Sequence, residues 1–87
     1  MPGPNKDVAE KDFDRRIGLS LKLLRKMKKW SLRQCSGKAG VSVTAIHQAE
    51  SGRGIRFFSA IKLTNAFGVE ISDLLEAANE FSEDSDG

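Results

Sequence analysis

The chain has 87 residues and a formal net charge of +2, a length that suits one small domain with a modest core and leaves little room for a deep catalytic cleft. Its single cysteine excludes an internal disulfide, and one cysteine with one histidine leaves a zinc site short of ligands, so no metal or other cofactor is expected. No apolar run approaches the roughly 20 residues of a membrane span, and MPGPNKDVAEKD lacks a signal peptide's apolar stretch, so the expectation is a soluble cytoplasmic protein without membrane contact.

Residues 1–12 read as an N-terminal arm. Phe13, Ile17, Leu21 and Leu24, with Leu23 and Met27, then recur at helical spacing and predict an amphipathic helix from about 12 to 28. Gly18 inside it costs about 1 kcal/mol relative to alanine, which points to close packing against a neighbour. In WSLRQC, Ser31 is placed to cap a second helix with Gln34 reaching back, and Trp30 and Cys35 have the spacing of a hydrophobic staple. That helix, about 32 to 38, stops at Ala39-Gly40. Cys35 falls on its apolar side, as expected of a buried, reduced thiol. Ser42 repeats the starting signal, with Val41 and Ile46 at staple spacing, and opens a third helix of about 43 to 51 after a very tight turn. Two short helices joined this closely cross steeply. Phe57, Ala60, Ile61, Thr64 and Phe67 predict a fourth helix closing at Gly68. A fifth begins at Ser72 with Leu74, Leu75, Ala78 and Phe81 as its inner stripe, before the acidic end FSEDSDG, residues 81–87, which reads as disordered. The predicted architecture is all-α, five helices over residues 13–80.

Charge divides this chain unevenly. Between Phe13 and Arg56 eleven basic residues face two acidic ones, while from Phe57 onward Lys62 alone faces seven acids. Such a molecule attracts a polyanion to one part and repels it from the other. Within the basic part, Ile46, Ala49 and Val41 are expected to turn inward, leaving Val43, Thr44, His47 and Gln48 on one outer side of the third helix. These side chains are short, weakly charged and able to hydrogen-bond, as close approach to base edges in a DNA major groove requires. Arg33 and Lys38 lie before this face and Arg53 and Arg56 after it, where phosphates would run. A polar, solvated helix face would show the same residue types. His47 near Ser42 or Ser51 lacks a carboxylate orienter and an oxyanion hole, so catalysis is not expected.

IGLSLKLLRKMKKWS, the turn KAGVS, TAIHQAESGR and AIKLTNAFGVEISDLL, in this order, resemble the helix-turn-helix domain of phage repressor and Cro-type regulators over Ile17 to Leu75. The resemblance implies a compact lambda-repressor-like domain that binds double-stranded DNA, in which the third helix is the recognition helix. It implies base reading by Val43, Thr44 and His47, with Gln48 close by. Phosphate contacts are implied near the start of the second helix, at Ser51, and in the loop of Arg53 and Arg56. It also implies an internal pair between Arg25 and Glu50. Leu32 stands where relatives usually have glutamine, so one phosphate and base-supporting contact of the family is lost, and the loop GRGIRFF lacks the family's frequent Asn-Pro. The expected function is a sequence-specific regulator, a repressor acting as a homodimer on a palindromic operator, with Phe58, Ile71 and the outer face of residues 72–80 as interface candidates. The alternative is an antitoxin or anti-repressor module whose acidic C-terminal part grips a protein partner.

Overall fold

The first helix, α1, spans Val8–Met27 in the computed structural model, which describes the backbone of residues 8–84 and the side chains of 8–80. It starts four residues before the expected position. Nothing in Val8 to Lys11 breaks a helix, and Asp12 ties the first turns together by accepting from Arg15 and Arg16, each at 2.9 Å. The hydrogen bond from Arg15, opposed by burial and helped by Arg16, holds the Asp12 carboxyl below its ordinary value. Of the expected arm, only residues 1–7 lie outside the described chain. The apolar pattern of α1 splits into two lines. Ile17 and Leu21 are buried and Leu24 packs against the core, but Phe13, Leu23 and Met27, expected inside, are exposed. Leu19, Leu23 and Met27 follow a second i, i+4, i+8 line that faces away from the core.

The turn just past α1 holds an unusual residue. Lys29 has φ 61°, a left-handed conformation that costs a side-chain-bearing residue about 1–2 kcal/mol. Glycine removes that strain but loses about 0.5–1 kcal/mol of unfolded-chain entropy. Lys29→Gly is therefore expected to stabilise the domain by roughly 0.5 kcal/mol, a rise of a few degrees in melting temperature by circular dichroism. A fall in melting temperature would show that the lysine side chain contributes more than its backbone costs.

α2, Leu32–Ala39, has the full capping box: Gln34 N–H donates to Ser31 Oγ at 3.0 Å, and Ser31 N–H to Gln34 Oε1 at 2.8 Å. It ends as expected at Gly40, whose left-handed φ of 74° lets its N–H reach the Ser36 carbonyl. Two residues later Ser42 caps α3, Val43–Glu50, accepting from Ala45 N–H at 3.1 Å. α4, Phe57–Phe67, closes at Gly68, φ 78°. Its buried line is Ala60, Leu63, Thr64 and Phe67. Leu63 was not among the expected inner residues, whereas Phe57, which was, lies at the first helical position beyond the reach of the core and is 67% exposed. α5, Ile71–Asp84, starts one residue earlier than expected because Asp73 Oδ2 accepts the Glu70 N–H at 2.9 Å. Leu74 and Ala78 face inward but Leu75 faces out. The helix continues through Asp84, past the expected end at residue 80. No glycine or proline interrupts that run; residues 85–87 and the side chain of Phe81 lie outside the described set.

The core gathers Ile17, Leu21, Cys35, Val41, Ile46, Ala49, Leu63, Phe67, Leu74 and Ala78, with Trp30 and Ile71 packed on its edge. Trp30 stacks on Phe67 at 5.8 Å between ring centres. Each large aliphatic or aromatic member contributes about 1.5–3 kcal/mol by leaving water. α1 lies across α5 and α3, and α2 joins α3 to α4. Cys35 is fully buried, and burial, reinforced by Glu50 and opposed by Arg25, raises its thiol pKa above 9.0. A raised folded pKa means stability is intact below about pH 9 and lost as pH rises further, because the unfolded chain then releases the thiol proton first. Iodoacetamide is expected to label Cys35 only as fast as the domain opens. Labelling of the native protein at the rate of a free thiol would contradict its place in the core.

Candidate nucleic-acid interface

α3 is fixed from behind at two points. At the first, a Cβ on Gly18 would run into the carbonyl oxygen of Ala49, with the carbonyl carbons of Ala49 and Glu50 each 3.2 Å away. Only glycine lets α1 approach this closely. At the second, Arg25 grips Glu50 with two parallel hydrogen bonds, Nε to Oε2 at 2.7 Å and Nη2 to Oε1 at 2.9 Å, while Nη1 donates to the Trp30 carbonyl at 2.8 Å. The two side chains are only 11% and 8% exposed. The Glu50 carboxylate, working against burial, raises the Arg25 pKa above its ordinary value. These anchors, with the buried Ile46 and Ala49, hold α3 in one position along α1.

The outward side of α3 presents the four expected residues. Thr44, His47 and Gln48 are exposed, and Val43 is partly so. A helix of eight residues is about 12 Å long, and none of these side chains is long enough to keep its backbone away from a neighbouring surface. The geometry joins two of them to a cation. A shallow, open depression is lined by Ser42, Thr44, Gln48, Arg56 and Ser59. Arg56 is also the residue at which α4 begins, and no side chain caps that helix. The positive end of the α4 dipole therefore stands at the wall of the depression beside the guanidinium, where an anion is favoured.

The other expected phosphate residues are more scattered. Arg53 is exposed just past α3, its N–H donating to the Gln48 carbonyl at 3.0 Å. Arg33 is exposed on α2. Lys38 stands with its Nζ 5.4 Å from the centre of the Trp30 ring, and like Arg33 it does not line the depression. Ser51 is exposed but donates its hydroxyl proton to the His47 carbonyl at 2.8 Å, so it offers a phosphate no donor while that bond holds. The sequence pointed to Ser42 as a cap and gave no DNA-facing role to it or to Ser59. Its signal lies in tertiary structure: the turn after α3 brings the start of α4 beside the start of α3.

Of the expected dimer surface, Ile71 is partly buried against the protein's own core. Phe58 is 76% exposed, and Phe57, expected inside, joins it edge-on with ring centres 6.0 Å apart.

A comparison with models of protein families matched residues 21–74 to the model described as helix-turn-helix. That span runs from the middle of α1 into α5 and takes in both anchors' partners on α3. A comparison with curated proteins found no match.

Proposed function

The chain belongs to the Cro/C1-type helix-turn-helix family of DNA-binding transcriptional regulators, and from that premise we propose that it reads a specific duplex sequence with α3 and acts as a repressor. The observation that carries this reading is a rigidly anchored helix whose only exposed side is short, hydrogen-bonding and almost uncharged, flanked by arginine at Arg56. Val43 offers a methyl-sized apolar contact for thymine, and Thr44, His47 and Gln48 offer donors and acceptors to purine edges. Arg56 and Arg53, with Arg33 and Lys38 farther out, supply phosphate attraction, which sets affinity and register without carrying sequence information. Ser51 contributes only if its hydroxyl turns away from His47.

One such domain reads few base pairs, so the working unit is a homodimer on a two-fold symmetric site, with half-sites about one helical turn apart. The Phe57–Phe58 pair is the apolar surface that would join the two copies. Repression follows from occupying a promoter, inside the cell and without a cofactor. Selection of bound duplexes from a random pool, followed by gel shift, tests the reading. The expected product is one family of related, two-fold symmetric sequences. A pool that stays random after repeated rounds would contradict it.

A further inference from the structure

Leu19, Leu23 and Met27 form an apolar line on α1 that no described residue covers, at 36%, 51% and 69% exposure. Exposed lysines Lys22 and Lys26 run beside it, and α1 has no acidic residue after Asp14. α5 is its counterpart. Leu75 is exposed there at the flank of an outer face that carries the exposed Glu76 and Glu80 one turn apart, and the helix contains no basic residue from Ile71 to Asp84. Within one molecule α1 meets α5 by other groups, Arg16 Nη1 donating to the Ala78 carbonyl at 3.2 Å, so among the described residues both outer faces remain open.

We propose that these two faces are complementary halves of a contact between copies: the basic, apolar face of α1 in one copy docks the acidic face of α5 in a second. Leucine and methionine on α1 cover Leu75, and lysines at i, i+4 meet glutamates at i, i+4. Because α1 and α5 are neighbours in each copy, a two-fold arrangement forms the contact twice, which helps it approach the roughly 1,200 Å² that lasting interfaces bury. Where the Phe57–Phe58 pair already joins two copies, the same contact instead links one pair to the next. Neighbouring operator sites would then fill cooperatively. The proposal adds this contact to the DNA-binding reading but does not need it.

A charge exchange tests it in sedimentation equilibrium of the full chain without DNA. One variant carries Lys22→Glu and Lys26→Glu; the other carries Glu76→Lys and Glu80→Lys. Each alone places like charges across the contact and is expected to associate at least about tenfold more weakly than the parent chain. Mixed in equal amounts they restore opposite charges at every contact, and association should return to within about threefold of the parent, a recovery that misfolded variants could not give. The exchange is repeated with Phe57→Ser and Phe58→Ser present, which isolates the α1–α5 contact from the aromatic one. Weakening in the single variants without recovery on mixing overturns the proposal. So does association that ignores the charges, as it would if the stripe serves another protein's acidic helix or an anionic membrane. Selection of a DNA sequence by the same variants would leave the functional reading standing in either case.

Discussion

Glu50→Ala destabilises the domain by about 3 kcal/mol or more, because it leaves the Arg25 guanidinium buried without its counter-charge. An exposed pair would cost under about 1 kcal/mol, and the side-chain exposures of 11% and 8% place this one with buried pairs. In a domain of this size each kcal/mol moves the melting temperature by roughly 4–8 °C, so a fall of at least about 12 °C is expected. Replacing both residues by apolar ones of similar size, Arg25→Met with Glu50→Leu, removes the stranded charge and should recover most of the loss. Recovery stays incomplete, because the Trp30 carbonyl loses the Nη1 donor as well. Near-equal melting of all the variants would show that the pair contributes nothing.

Gly18→Ala sets two effects against each other. Alanine favours an exposed helix interior by about 1 kcal/mol over glycine. Here the new methyl group meets backbone, the Ala49 carbonyl, which cannot turn aside as a side chain would and already accepts the Gly52 N–H at 3.0 Å. Overpacking of this kind costs about 1–3 kcal/mol and at times more, and a clash with backbone belongs at the upper end. A net loss of about 2 kcal/mol is expected, or roughly 8–16 °C by thermal melt. Relief of the clash moves α3 away from α1, so DNA affinity should fall in protein that is still folded. A stabilised Gly18→Ala variant would mean that the helices do not approach this closely.

Local chemistry made the helix ends readable. Ser31 with Gln34, Ser42, Gly40 and Gly68 each act within a few residues of their own position, and each does in the fold what its sequence context suggests. Gly18 was legible for the opposite reason, since a costly residue inside a helix needs a tertiary cause, and Ala49 is that cause. Helical spacing could not choose between the two apolar lines of α1. The 17-21-24 line and the 19-23-27 line have similar side chains, and only the positions of α3 and α5 decide which is covered. Phe57 and Leu63 exchange roles in the same way at α4. At the candidate interface, the outer residues of α3 followed from the buried positions of Ile46 and Ala49. The companionship of Arg56 and Ser59 with Thr44 depends on how the turn after residue 50 folds back, which no local pattern encodes.

The central claim is that α3 discriminates between sequences while the arginines beyond it supply general affinity. Binding of Thr44→Ala, His47→Ala and Arg56→Ala to the selected duplex and to random duplex, at two salt concentrations, tests it most directly. Thr44→Ala or His47→Ala should lose about 1–3 kcal/mol on the selected duplex and little on random DNA, with the salt dependence unchanged. Arg56→Ala should weaken both duplexes alike and flatten the slope of log K against log salt by about one unit. Equal losses on the two duplexes for Thr44→Ala and His47→Ala, or no loss on either, would remove α3 as the reading surface.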